Sequence, residues 1–214
     1  MRAGPDPQMP QLGAVVLAAG YSRRMGAFKP LLPFGSGTIL EQTIDNLRQA
    51  GIEHPVVVTG HRSEEITLLL ARKGLDTVFN PDFEDGMFSS LQAGIKMLTP
   101  ETRAFFVQPG DMPLIRPDTL RSLAESFKRQ PAIVSYPVFN GRRGHPPLLA
   151  VELTESLSTW KGQGGLRAFL QPYRDRAGET AVNDEGILLD LDNQDDYLRA
   201  MIAIKTYKEK KHGF

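Results

Sequence analysis

The sequence predicts an α/β protein: an open, mostly parallel sheet with helices on both faces, three layers in all, and a late antiparallel hairpin excursion. Three observations predict it. Valine-rich apolar runs at 12–18 (LGAVVLA) and 55–60 (PVVVTG) suit strands buried on both faces. Between such runs lie segments with apolar residues at helical spacing. The two kinds of segment alternate strictly through the first 130 residues, the pattern of parallel strands joined by crossover helices.

After the first strand, Thr38 opens TILE, a capping-box pattern with Glu41, and a helix continues to Gly51. Strand 55–60 follows, then a helix that Ser63 caps and that runs through EEITLLLARKG. LDTVFN reads as a third strand, SSLQAGIKML (89–98) as a helix, and RAFFVQPGDMP (103–113) as a strand ending in a Gly-Asp turn. PDTLRSLAESFKRQ is a helix with Pro117 near its start. There the alternation breaks: AIVSYPVFNGRRGHPPLLAV holds Asn140-Gly141, a hairpin turn signal between β-rich runs. ETAVN (179–183) and GILLDLD (186–192) read as two more strands before a long final helix. Residues 1–11 read as a disordered leader, 12–204 as one domain and 205–214 as a Lys-rich tail that is a solvated, fraying helix end.

Composition excludes several function classes. Lys plus Arg is 25 and Asp plus Glu is 25, so an anion site must be a local cluster and charge-driven nucleic-acid binding is disfavoured. The absence of cysteine removes disulfides, thiolate nucleophiles and Cys-ligated zinc, and suits a reducing cytoplasm. No apolar run approaches the ~20 residues of a membrane helix.

The stretch LAAGYSRRMGAFKPLLP (17–33) leaves the first strand and gathers Arg23, Arg24 and Lys29 in one loop. Three like charges repel, which makes sense where an anion sits among them. Gly20 and Gly26 allow close backbone approach, backbone N–H groups can cradle phosphate oxygens, and Arg24 can bond them bidentately. In open α/β sheets ligands bind beyond the carboxyl ends of the strands, where this loop lies. Neither GxxxxGK[ST] nor GxGxxG is present.

The loop resembles the signature LAAGxSxRMGxxKxLLP of the MobA-like family of NTP transferases, matching at Leu17, Ala18, Ala19, Gly20, Ser22, Arg24, Met25, Gly26, Lys29, Leu31, Leu32 and Pro33. The resemblance implies a Rossmann-like fold of the nucleotide-diphospho-sugar transferase type. It implies that the loop wraps a triphosphate, with Arg24 and Lys29 on its oxygens, and that Arg23 is a solvated charge. The Ala18-Ala19-Gly20 run is the form of members that use CTP or UTP, whereas guanylyl-transferring members commonly carry a further glycine.

Nucleotidyl transfer needs a divalent cation, and Mg²⁺ takes few protein carboxylates. GDMPLI resembles the family's GDxP element, which implies Asp111 as a metal ligand and places Gly110 at the nucleotide. LDLDNQDDY resembles DIDTPEDY, with Asp190 and Asp192 on its two Asp positions and Asp192 as the other metal ligand; Asn193-Gln194 stands where the family has Thr-Pro. Asp195 and Asp196 start the last helix, where negative charge suits the dipole. NPDFEDGMFSSLQAG (80–94) resembles NPxWxxGMxSSLxxG of the branch that makes molybdenum-cofactor dinucleotides. It implies Ser89 and Ser90 at a phosphate or base, although Ser90 reads equally as an N-cap. GRRGHPPLL (141–149) resembles GHPxLF, which implies Gly144, His145 and Pro146 at a pterin acceptor, although a lone turn histidine is as often structural. WKGQGGLRAFL departs from a GDxGAR-like element: Lys161-Gly162-Gln163 replaces its acidic position.

Together these imply an Mg²⁺-dependent transferase moving CMP from CTP to a phosphorylated pterin-type acceptor, with Arg24, Lys29 and Asp111 catalytic. They imply no nucleic-acid or membrane partner, and a transient contact with a protein that receives the finished cofactor. The alternatives are guanylyl transfer to the same acceptor, a sugar- or polyol-phosphate acceptor, and a non-catalytic nucleotide- or cofactor-binding module.

Overall fold

The computed structural model describes residues 11–22 and 25–212, with side chains as far as Ile204. The expected leader lies outside these residues except for Gln11, which already begins a strand. In chain order the elements are β1 Gln11–Ala18, the small hairpin β2 Pro33–Phe34 and β3 Gly37–Thr38, α1 Ile39–Gln49, β4 Val56–Thr59, α2 Ser63–Ala71, β5 Thr77–Phe79, α3 Met87–Ile95 and β6 Thr102–Pro109. There follow α4 Pro117–Arg129, β7 Val134–Phe139, β8 Arg142–Arg143, β9 Leu148–Ala150, α5 Thr154–Thr159, α6 Gly165–Leu170, β10 Gly178–Ala181 and α7 Gln194–His212.

The main sheet has the order β10-β7-β9-β6-β1-β4-β5, with β8 beside β7. Pairs β6-β1, β1-β4, β4-β5 and β10-β7 are parallel, and β9 runs antiparallel to both its neighbours. Adjacent residues of each strand serve opposite faces. Ala14 and Val16 pack with Val57, Phe106, α1, α2 and α4, while Val15 packs with Val58, Phe105, α3, α5 and α6. That two-sided burial is why these strands read as unbroken apolar runs. Asn140 (φ 48°) and Gly141 (φ 73°) both adopt left-handed backbone, as a two-residue hairpin turn requires.

A third, smaller cluster of Phe34, Ile39, Leu191, Ala200 and Ile204 fastens α7 to the β2-β3 hairpin, and the Tyr197 hydroxyl donates to the Pro33 carbonyl at 2.7 Å. This contact carries the segment before α7 back to the first loop. Among the described residues no helix is long and apolar enough to cross a membrane.

Local signals and structure agree closely at α1. Thr38 Oγ1 accepts from the Glu41 N–H at 3.2 Å, and Glu41 Oε2 accepts from the Thr38 N–H at 2.8 Å, so the capping box is complete. Thr38→Ala should therefore lower stability by about 1 kcal/mol, read as a fall in the denaturant midpoint with unchanged slope.

Three local expectations differ. Ser63 begins α2 but does not cap it; the cap position is Arg62, in left-handed backbone (φ 52°), whose side chain caps no helix N–H and instead pairs its guanidinium with the Glu65 carboxylate. Helix α3 starts at Met87 rather than at Ser89, since Gly86 (φ 103°) supplies the turn. Residues 186–192 form no strand. A 3-10 turn, Glu185–Leu188, begins there because the Asp184 side chain accepts from the Gly186 N–H at 3.1 Å and bends the chain.

Candidate active site

Strand order reverses at β1: β4 and β5 lie to one side of it and β6 to the other. Ligands in open α/β sheets bind in the crevice beyond the carboxyl ends of strands at such a switch point. The loop after β1 and the Gly110-Asp111 turn after β6 both emerge there, tied by the Gly110 N–H donating to the Leu17 carbonyl at 3.0 Å. A cavity of about 720 Å³ opens between them.

Leu17, Ala18, Ala19, Gly20, Ser22 and Lys29 line one side of this cavity, and Ser90, Gly110, Asp111 and Asp192 line the others. Gly20 is exposed, and a Cβ added to it would meet none of the described residues within 4 Å. Among the described residues no packing demands glycine at this position, and its backbone lies open to the cavity. Ser22 knots the loop: its backbone is left-handed (φ 57°), its Oγ accepts from the Lys29 N–H at 3.1 Å, and its carbonyl accepts from the Met25 N–H at 3.1 Å. Arg23 and Arg24 lie outside the described residues.

Lys29 is only 8% exposed. Its Nζ donates to Asp111 Oδ2 at 2.9 Å and to Asp192 Oδ1 at 3.1 Å. Burial works to lower the Lys29 pKa, but the carboxylates of Asp111 and Asp192 outweigh it and leave the pKa raised. The two expected metal ligands thus converge on one positive centre, although Lys29 is 82 positions from Asp111 and 163 from Asp192. Among the described residues no group of three or more His, Asp or Glu side chains could cage a metal. Two hard carboxylates suit a cation such as Mg²⁺, which binds one or two of them and completes its shell with waters and substrate oxygens. The residues present therefore fit such an ion.

The third wall is the loop into α3. Asn80, 2% exposed, donates from Nδ2 to Ser89 Oγ at 2.9 Å and Ser90 Oγ at 3.0 Å, while its Oδ1 accepts from the Asp82 N–H at 3.0 Å. Ser89 Oγ in turn donates to the carbonyls of Asp82 and Gly86. Both hydroxyls are thus tied into the loop, and neither serine caps the helix. Tyr21 reaches across from the first loop and donates its hydroxyl to Glu84. In the sequence Asn80 carries no role of its own; it closes the LDTVFN run and opens the NPDFEDGM element.

A second cavity of about 1200 Å³ adjoins the first, sharing Leu17, Gly86, Met87 and Pro109 with it. Ser89, Gly144 and His145 line it, but Pro146 does not: it is buried, and Pro147 faces the cavity instead. Gly144 is required by close approach, since a Cβ there would lie 2.5 Å from the Ile187 carbonyl oxygen, which accepts from the His145 N–H at 2.8 Å. Surrounding protein lowers the His145 pKa, with Asp190 and Asp111 acting the other way. Asp190 is raised by burial against the pull of His145, with Asp111 and Asp192 adding to the rise. The arrangement is a two-chamber cleft with a lysine and two carboxylates in the first chamber and a histidine-bearing loop in the second.

Comparison with known proteins places the chain in a family. The model of the MobA-like NTP transferase domain matches residues 14–178, a span that includes Lys29, Asp111 and His145 and stops short of Asp192. Molybdenum cofactor cytidylyltransferase of Escherichia coli strain K12 is 32% identical over 193 residues, 90% of this chain and 96% of its own length. A nucleotidyl transferase from Methanothermobacter thermautotroptrophicus superposes with a TM-score of 0.78 at 26% identity, over 91% of this chain and 98% of its own. Rv0371c from Mycobacterium tuberculosis H37Rv, solved in complex with manganese, gives 0.75 at 28% identity, over 90% of this chain and 98% of its own. The family match runs from the first strand of the sheet into the last, and the chain belongs to the MobA-like NTP transferase family and is a nucleotidyltransferase.

Proposed function

We propose that the enzyme transfers CMP from CTP to the phosphate of a pterin-type acceptor, molybdopterin or molybdenum cofactor, with release of pyrophosphate. The observation that carries this reading is the meeting of Asp111 and Asp192 on the Lys29 ammonium at the floor of the cavity behind Gly20. CTP is supported by the Ala18-Ala19-Gly20 run and by the relation to a cytidylyltransferase. The acceptor is supported by the same relation and by the second cavity with its Gly144-His145 loop.

The acceptor phosphate needs no general base, because the second pKa of a phosphate monoester is about 6 and the nucleophile is already ionised at neutral pH. Its oxygen attacks the α-phosphorus in line, the bond to the β-phosphate oxygen breaks, and pyrophosphate leaves. Asp111 and Asp192 would hold the divalent cation, which when bound supplies charge neutralisation at the triphosphate; the manganese complex of the M. tuberculosis protein supports such an ion. Bare backbone at Gly20 admits the phosphates closely. An ammonium has three N–H donors, and Lys29 commits two to the carboxylates, so the third serves a phosphate oxygen. Arg24 adds a second cation from the same loop. Ser90 and Gly110 shape the nucleotide wall. Catalysis is positioning and electrostatic stabilisation rather than covalent chemistry.

Thermal unfolding with CTP, GTP, UTP and ATP, each with and without Mg²⁺, tests the nucleotide half. A ligand at ~100 times its dissociation constant adds about 2.7 kcal/mol, which in a protein of this size raises Tm by roughly 5–10 °C. The largest shift is expected with CTP and Mg²⁺. A larger shift with GTP would move the reading to guanylyl transfer, and no shift with any nucleotide would overturn it.

A further inference from the structure

The second cavity is much more basic than the chain that builds it. Over the whole chain 25 Lys and Arg balance 25 Asp and Glu. The cavity wall holds Arg143, Lys161, Arg167 and Arg174 against a single carboxylate, Asp85. The four cations come from three places: strand β8, the loop between α5 and α6, and α6 with the 3-10 turn after it.

Arg143 is fixed in place. Its Nε donates to Glu179 at 2.6 Å, a terminal nitrogen donates to the Arg174 carbonyl at 3.1 Å, and its guanidinium lies 5.1 Å from the centre of the Tyr136 ring. Among the described residues, Lys161, Arg167 and Arg174 take part in no ion pair. Three cations without ion-pair partners repel one another and raise the local potential, which an anionic ligand relieves. Tyr136 and Trp160 give the same wall two flat apolar faces. Lys29, Asp111 and Asp192 line only the first cavity, so these cations stand apart from the transfer centre.

We propose that this wall is a second anion subsite. Arg143, Lys161, Arg167 and Arg174 select an acceptor whose planar ring lies against Tyr136 and Trp160 and which carries a negative group besides the attacking phosphate. The inference rests on the reading of this cavity as the acceptor site.

Trp160 is the chain's one tryptophan, so its fluorescence reports this cavity and not the nucleotide site. The test titrates Trp160 emission with two probes that share a ring system, 6-carboxypterin, which is anionic, and 6-hydroxymethylpterin, which is not. A hydrogen bond to a charged group contributes on the order of tenfold or more in affinity, so carboxypterin should bind at least about tenfold tighter. In the variant carrying Lys161→Gln and Arg174→Gln that preference should fall towards unity, while the CTP-induced thermal shift stays at the wild-type value. Equal binding of the two probes to the wild type, or a preference that survives in the variant, overturns the subsite and leaves the acceptor reading standing. Binding of neither probe, with the CTP shift intact, overturns the acceptor reading and the subsite with it.

Discussion

Asp111→Asn should slow pyrophosphate release by about a thousandfold or more, roughly 4 kcal/mol of transition-state stabilisation. The fold should survive. Asp111 is half-buried rather than buried, its backbone bonds are untouched, and Lys29 keeps Asp192 as a partner at 3.1 Å. The buried ammonium is therefore not left without a carboxylate, so Tm should move by no more than a few degrees. The substitution also removes one negative charge beside the triphosphate site. CTP measured without a divalent cation should therefore bind no worse than to the wild type, and the whole defect should appear when the cation is added. Initial-rate measurement of pyrophosphate release, with CTP binding followed in parallel, separates these effects. Turnover near the wild-type rate would rule out the role proposed for Asp111.

Asp184→Ala should be among the most destabilising single changes in the chain, although Asp184 lines neither cavity. Its carboxylate is 4% exposed. Oδ2 accepts from the Arg116 N–H at 2.9 Å and the Thr119 hydroxyl at 2.6 Å, Oδ1 accepts from the Gly186 N–H at 3.1 Å, and the Arg116 Nε lies 3.6 Å away. Arg116 and Thr119 open α4, so the carboxylate also sits where the helix dipole favours negative charge. Removing one partner of such a buried network costs about 3–5 kcal/mol, or roughly 10 °C in Tm for a domain of this size.

The consequence should reach the site. Asp184 clamps the turn whose Ile187 carbonyl holds the His145 N–H, and the same segment runs on to Asp192. Turnover should fall even at temperatures where the variant is folded. Calorimetry on Asp184→Ala and Asp184→Asn, with pyrophosphate release at 20 °C below each midpoint, checks both claims. The asparagine, which keeps an acceptor oxygen, should recover part of each loss. An unchanged Tm for the alanine variant would show that the clamp carries no weight.

Much of the architecture was legible because it is written in local interactions. The β1 and β4 runs are apolar because both faces of a central strand are covered, and the Thr38-Glu41 box and the Asn140-Gly141 turn depend only on neighbours a few residues away. Segment 186–192 misled for the complementary reason. Its apolar residues alternate as a strand's would, but Ile187 and Leu191 are buried through contacts with other parts of the chain, and the Asp184 clamp bends the backbone out of any ladder. Pro146 belongs to the loop that the sequence singled out, but it is Pro147 that lines the cavity.

By itself the sequence determined the parallel sheet and the glycine-bearing, cation-rich loop after β1, since strand burial, turn chemistry and residue type are properties of short segments, and it singled out Asp111 and Asp192 through motifs that resemble the family's. Only the tertiary structure decided that Lys29 meets Asp111 across 82 positions and Asp192 across 163, that Asn80 ties down Ser89 and Ser90, and that four cations from separate elements share one wall. Such contacts are set by how helices and strands pack, and α7 returns to the first loop only because Leu191, Ala200 and Ile204 have Phe34 and Ile39 to bury against. No spacing along the chain encodes that distance.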